Sequence, residues 1–182
     1  MPDLISFLPA ASRLDLVSES VADILATWTG PIPVDEVLVG EIDPDSAGGT
    51  DFCAKYGFKH TEGANCVIVE GHRGTTRTLA AVLIPVGYRS DLNGVVRRQL
   101  GARQVSLAPL ELVLEETKME YGSITPVGLP SSWPVLIDQV TAAAPRVVIG
   151  SGLRRSKLSL PGPALLQLPG AIAIEGLSRP PG

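Results

Sequence analysis

The segment Glu120-Tyr121-Gly122-Ser123-Ile124-Thr125-Pro126-Val127-Gly128 gathers small, hydroxyl-bearing and turn-forming residues between a helical pattern and an extended apolar run. Glycine and proline set the backbone of a turn, and successive main-chain N–H groups in such a loop can converge on a ligand. The chemistry this suits is the grip of a carbonyl oxygen without any charged side chain. Well upstream, the strand-like Ala64-Asn65-Cys66-Val67-Ile68-Val69 sets an amide beside a thiol.

Other chemistries find less support. A thiolate at Cys66 would attack esters, but no base neighbours it, and strand alternation turns Asn65 and Cys66 to opposite faces, so a buried core thiol is expected. Two cysteines, Cys53 and Cys66, are too few for a disulfide framework, and with only His60 and His72 no metal-ligand spacing is present; neither metal nor cofactor is expected. The two histidines stand in polar, loop-like stretches and read as solvated. Ser123 and Thr125 offer hydroxyls to a ligand, but no Ser-His-Asp arrangement follows from spacing. The densest basic cluster is Arg154-Arg155-Ser156-Lys157, just after the turn Gly150-Ser151-Gly152, with Arg97-Arg98 as a second. Both have two readings: contacts to phosphates of an RNA end, or solvated charges on a helix and a strand edge.

The elements that must position these residues follow from composition and pattern. The chain has 182 residues, 45% hydrophobic, 19% charged and only 4% aromatic, which suits one domain packed by Val, Leu, Ile and Ala. Scarce aromatics disfavour a nucleic-acid binder built on stacking platforms. The net charge of -4 is uneven: residues 1–60 hold ten acids against three Lys/Arg, and the remainder nine against twelve. Overall acidity argues against a general nucleic-acid coat, while a local basic patch can still hold an RNA end. No leader-like start and no apolar run of membrane-spanning length is present, so a cytoplasmic protein without membrane attachment is expected.

Apolar spacing predicts a helix over residues 11–29, stopped by Gly30-Pro31, and a strand over 37–42. A short helix follows at 51–56. Residues 66–70 and 79–85 read as a paired antiparallel unit around the loop Gly71-His72-Arg73-Gly74-Thr75. Helices are expected at 91–100, opened by Asp91, and at 109–117, with Pro109 at its first position. Strands are expected at 134–138, 146–150 and 157–160, then a helical turn or two at 162–168 and a last run at 171–174. Strands and helices do not alternate regularly and no Gly-rich phosphate loop follows a first strand, so a mixed, mostly antiparallel sheet is expected over a doubly wound fold.

The order of several pieces sharpens this. A helix ending in Tyr56-Gly57, the strand from Asn65, Asp91-Leu92-Asn93 opening a helix, Leu100-Gly101-Ala102-Arg103, the loop at Tyr121, Trp133-Pro134-Val135-Leu136-Ile137-Asp138 and Ile149-Gly150-Ser151-Gly152 stand in sequence. Together they resemble the YbaK/ProX-type aminoacyl-tRNA editing domains, which carry a G-x-x-x-P loop, here Gly122 to Pro126. The resemblance implies an α+β fold, a curved, partly barrel-like, mixed but mostly antiparallel β-sheet flanked by short helices. It places the editing domain at 46–176, after an N-terminal extension at 1–45 packed on it, and leaves a loose tail at 177–182. It implies a deacylase acting in trans, which removes a small mischarged amino acid such as Ala or Cys from tRNA. The acceptor end of aminoacyl-tRNA would be its partner, with an aminoacyl-tRNA synthetase as a second.

On that reading the N–H groups around Gly122, Ser123, Ile124 and Thr125 hold the ester carbonyl and Asn65 orients the ester. Pro126, Gly128, Asp138, Gly150, Ser151 and Gly152 bind the substrate, with Asp138 on its amine, and Arg97, Arg98, Arg154, Arg155 and Lys157 meet tRNA. Two alternatives stay open for single residues: Gly122 and Gly128 as turn glycines, and Asp138 as a cap of the next element. One departure from the family pattern matters. Editing domains of this type usually carry a lysine where this chain has Asn65, and an amide donates a hydrogen bond without adding positive charge. Asn65 is therefore either a weakened catalytic group or a strand-end residue bonding the backbone, and a non-catalytic module that binds an aminoacyl group or another small ligand is the alternative function.

Overall fold

The computed structural model describes residues 1–182. In chain order the main elements are β1 (Leu8–Pro9), α1 (Glu19–Ala26), β2 (Leu38–Glu41), α2 (Gly49–Tyr56), β3 (Ala64–Arg73), β4 (Thr76–Pro85) and β5 (Arg89–Ser90). They continue as α3 (Arg97–Gln99), β6 (Gln104–Leu107), α4 (Leu110–Thr117), β7 (Val135–Asp138), α5 (Gln139–Ala143), β8 (Val147–Gly150), β9 (Ser156–Leu160), β10 (Ala171–Ile174) and β11 (Ser178–Arg179). This is a mixed α+β fold with short helices. One sheet runs β10-β7-β4-β3-β6 and the other β1-β2-β9-β8, with a two-stranded β11-β5 ribbon apart. Only the β10–β7 and β7–β4 pairings are parallel.

The β3–β4 hairpin forms because both strands are rich in β-branched and aliphatic residues and a two-residue turn, Gly74-Thr75, joins them. Its strands run longer than the apolar pattern predicts. Gly71, His72 and Arg73 belong to β3, where β6 pairs with Val69, Glu70, Gly71 and His72. That partner recruits polar residues into the strand. β3 alternates its side chains between two cores: Ala64 and Ile68 join the large cluster between the sheets, while Val69 packs on the other face with Val82, Val96 and Leu136.

Two expectations are corrected at the chain ends. The helix expected over 11–29 is α1 alone, preceded by short 3-10 turns at Ala10–Ser12 and Leu14–Leu16. Here tertiary bonds win over local propensity: Ser18 N donates to Ser151 O, and Ser156 Oγ donates to Leu16 O. The tail expected to be loose from 177 is held as far as Arg179. Leu177 is 0% exposed, and Ser178 Oγ donates to Asp138 Oδ2. Nor do the first 45 residues merely pack on a finished domain, because β2 is an inner strand, hydrogen-bonded to β1 on one side and β9 on the other. No helix is long and apolar enough to cross a membrane.

Candidate active site

β6 is the shorter partner of β3, and this leaves an opening. It pairs only from Val69 to His72, and beyond it Ala108 N donates to Ile68 O, so residues 64–67 keep an edge that β6 never covers. At the far end Gly63 bridges Val148 of β8, which brings the two sheets together there. Backbone groups alternate in direction along an antiparallel strand. Cys66 N–H and C=O therefore point the same way as Ile68 O, into the gap. A cavity of about 430 Å³ fills that gap. Residues 64–68 form one wall, and Leu110 and Val113 of α4 a second. The third wall is Gly122 and Ile124, and Gly150 of β8 with Lys157 of β9 closes the end beside Gly48 and Gly49.

The G-x-x-x-P loop is seated on the β8–β9 turn by main-chain bonds. Glu120 N donates to Gly152 O, and Gly152 N donates to Ser123 O. Close approach makes Gly150 obligatory, since a Cβ there would lie 2.5 Å from Ser123 O and 2.6 Å from Ile124 O. Gly122 takes φ +82°, a left-handed backbone that turns the loop over the cavity at little steric cost for glycine. The N–H groups of Gly122 and Ile124, both on the cavity wall, donate to no acceptor in the chain. They are available to a ligand oxygen.

Asn65 is on the wall across from this loop, its amide over the start of α2: a Cβ on Gly49 would lie 2.4 Å from Asn65 Oδ1. Thus Asn65, Gly122, Ile124 and Gly150 converge on one cavity. Other candidate residues lie elsewhere. Ser123 and Thr125 are buried behind the loop, where Thr125 Oγ1 accepts from Val127 N. Pro126 is buried, and Gly128 lies against the backbone of Ser20. Ser151 Oγ is bonded within the turn and to Ser156, and Gly152 packs on Ser18. Asp138 does not face the cavity: its Oδ1 caps α5 by accepting from Val140 N, so it is no partner for a substrate amine there.

The basic residues separate. Arg97 and Arg98 are exposed beyond Val96, which packs on the face of the five-stranded sheet opposite the large core. Arg154 braces the cavity rim, donating to Tyr121 O at 3.1 Å and Pro44 O at 2.8 Å. Arg155 is exposed and donates to Asp15 O. Lys157 is a correction. It is 7% exposed and lines the cavity, so it is no solvent-facing member of a basic cluster. β9 is an inner strand buried along its whole length, covered by the large core on one face and by the Phe52 cluster on the other. Lys157 Nζ donates to Ala47 O at 2.8 Å and stands 5.4 Å from the centre of the Phe52 ring. Burial pulls its ammonium down to about 8, with Cys53 opposing that effect and Arg154 adding to it. Reading the run Arg154-Arg155-Ser156-Lys157 as one polar patch hid this; the apolar Leu158 and Leu160 on the same strand were the available signal.

Cys66 also lines the cavity, where apolar surroundings push its thiol up to about 12. It is a thiol at neutral pH and no nucleophile. No acidic side chain lines the cavity.

The fold encloses a cavity between an open strand edge and a main-chain loop. Residues 43–168 match the aminoacyl-tRNA editing domain family, and the chain belongs to that family. A crystal structure of a proposed trans-editing enzyme for prolyl tRNA synthetase is similar, with 22% identity, a TM-score of 0.73, and 90% of this chain and 99% of that chain covered. A second crystal structure, of a protein described only as hypothetical, has 22% identity and a TM-score of 0.73 over 88% of this chain and all of that one. A scaffold used for computational grafting of epitope backbones follows at 20% identity and a TM-score of 0.71, covering 94% of this chain and 98% of that one. These likenesses establish the fold. No curated protein matches the chain significantly.

Proposed function

We propose that this protein is an aminoacyl-tRNA deacylase that acts in trans, clearing a small misattached amino acid such as alanine or cysteine from tRNA. The observation that carries this reading is the pair of unpartnered N–H groups, Gly122 and Ile124, across a cavity from the open edge of β3. An ester carbonyl seated between them has donors aimed where charge develops, and Asn65 fixes the ester from the opposite wall. Water attacks the carbonyl carbon, the bond to the ribose oxygen breaks, and that oxygen leaves as a hydroxyl carrying one of the water's protons. Proximity and prearranged dipoles supply the acceleration, because an aminoacyl ester is already activated. The acceptor end enters past Tyr121, which is 64% exposed at the mouth. In this reading the exposed Arg155 meets phosphate near the acceptor end, and Arg97 and Arg98, also exposed, meet the body of a tRNA. A synthetase that produces the mischarged tRNA is the natural associate of such an enzyme.

The test is incubation of the purified protein with a panel of mischarged tRNAs. Release of the amino acid from one or two members is expected, and inertness across the whole panel overturns the reading. A second reading, a non-catalytic module that binds an aminoacyl group, is favoured by one observation: the family's lysine position holds an uncharged amide. Asn65→Lys raises the deacylation rate if the site is a weakened enzyme, whereas Asn65→Ala leaves a pure binder unchanged.

A further inference from the structure

We propose that Lys157, reaching the cavity from β9, supplies the positive charge absent at Asn65 and donates to the carbonyl oxygen of the bound aminoacyl group. This rests on the deacylase reading for its substrate class, though the contact itself can be measured without turnover.

Four observations carry it. Lys157 is a buried cation with no carboxylate partner, and the cavity it lines has no acidic residue to compete for it. An ammonium has three donors, and only one is taken, by Ala47 O. The others are free for a ligand. Asn65 and Lys157 also converge on the same turn: the amide of Asn65 lies against Gly49, while Nζ of Lys157 is bonded to Ala47, two residues earlier. A charge delivered from β9 thus arrives close to where one from position 65 would. Finally, Lys157 is opposite Gly150 in the β8–β9 register, and Gly150 is the residue on which the Ile124 carbonyl rests, so the closed end that carries the cation adjoins the wall that carries the free loop amides. The charged and titratable groups felt by Lys157 are Cys53 from α2 and Arg154 from the β8–β9 turn, and neither neutralises it at neutral pH. With its pKa lowered to about 8, the amine is still mostly an ammonium at pH 7, and an oxygen bearing developing negative charge favours that form further.

The experiment compares wild type with Lys157→Met, Lys157→Arg and the double variant Lys157→Met/Asn65→Lys. Two readouts are used: deacylation of mischarged tRNA, and binding of an amide-linked 3′-aminoacylamino-adenosine that cannot be hydrolysed. Lys157→Met is expected to lose about 100-fold or more in kcat/KM, in line with removal of one oxyanion donor. It should bind the analogue at least about tenfold more weakly, and Asn65→Lys in that background should restore at least about tenfold of the lost rate. Lys157→Arg, longer and planar, should stay nearer to the Met variant than to wild type. In wild type, the NMR titration midpoint of the Lys157 side chain should rise when the analogue saturates the site, which a purely structural lysine would not do and which stands even if a variant misfolds.

A folded Lys157→Met that deacylates within threefold of wild type overturns the assignment while leaving the deacylase reading intact. So does an unmoved titration midpoint in the saturated complex. Should wild type be inert on every tRNA, the deacylase reading falls and the analogue decides: tenfold weaker binding by Lys157→Met upholds the contact, and equal affinity overturns it. Failure of wild type to bind the analogue overturns both.

Discussion

Lys157 and Cys66 show how one cavity drives two side chains toward their neutral forms. An ammonium in apolar surroundings loses hydration, so the folded-state value falls to about 8 from the ordinary 10.5. Between those values the unfolded chain binds more protons than the folded one, so this group makes stability rise with pH from about 8 to about 10.5. Below 8 the penalty is present in full. Lys157→Met should therefore stabilise the fold by about 1–3 kcal/mol at pH 7, with the gain shrinking toward pH 10; urea midpoints of both proteins at pH 7 and pH 9.5 check this. A gain that persists unchanged at the higher pH would contradict the burial argument. Cys66, with its thiol pushed up to about 12, has almost no thiolate at neutral pH. Iodoacetamide at pH 7.5 should alkylate it at least ~100-fold more slowly than a free cysteine peptide, as peptide mass spectrometry would register.

At the scale of elements, the site exists because a short strand and a seated loop stop short of one another. The hairpin of β3 and β4 was legible in the sequence as two β-branched runs around a loop at 71–75, though only Gly74-Thr75 forms the turn. β6 was not: Gln104-Val105-Ser106-Leu107 has little apolar pattern of its own and becomes a strand by pairing with β3. The same holds for α1, whose first predicted turns are drawn away by bonds from Ser18 and Ser156. Of the residues that the sequence offers as candidates, Asn65, Gly122, Ile124 and Gly150 line one cavity, whereas placements that burial decides were illegible. Leu158 and Leu160 were the one local hint that Lys157, unlike Arg155, is buried, and nothing local told Asp138 as a helix cap from a ligand contact. The loop's seat yields its own test. Gly150→Ala drives a methyl into the Ser123 and Ile124 carbonyls, which are main chain and cannot rotate aside. A loss of about 1–3 kcal/mol in stability is expected, together with a larger fall in deacylation than in stability, measured by thermal melts beside the tRNA assay. Full activity in this variant would mean that the loop is not the carbonyl's seat.

For the whole molecule, the family match begins at residue 43, yet the fold does not. Val37 and Val39 are 0% and 1% exposed, and β2 covers the edge of β9. A chain starting at Asp43 loses that strand and exposes β9, and it should be unfolded or aggregated at 25 °C by circular dichroism and light scattering. The other end is milder. Removing residues 177–182 takes away Leu177, fully buried in the second core, and should cost about 2–5 kcal/mol, read from the denaturant midpoint. The uncovered edge at residues 64–67 has a further consequence. Main-chain groups recognise what all amino acids share, so under the proposed deacylase reading a strand edge and loop amides would grip every acyl group alike. Discrimination would then be left to length, set by Leu110 and Val113 in the cavity lining. The site would work as a sieve with an upper mesh size, indifferent to which small residue passes through it.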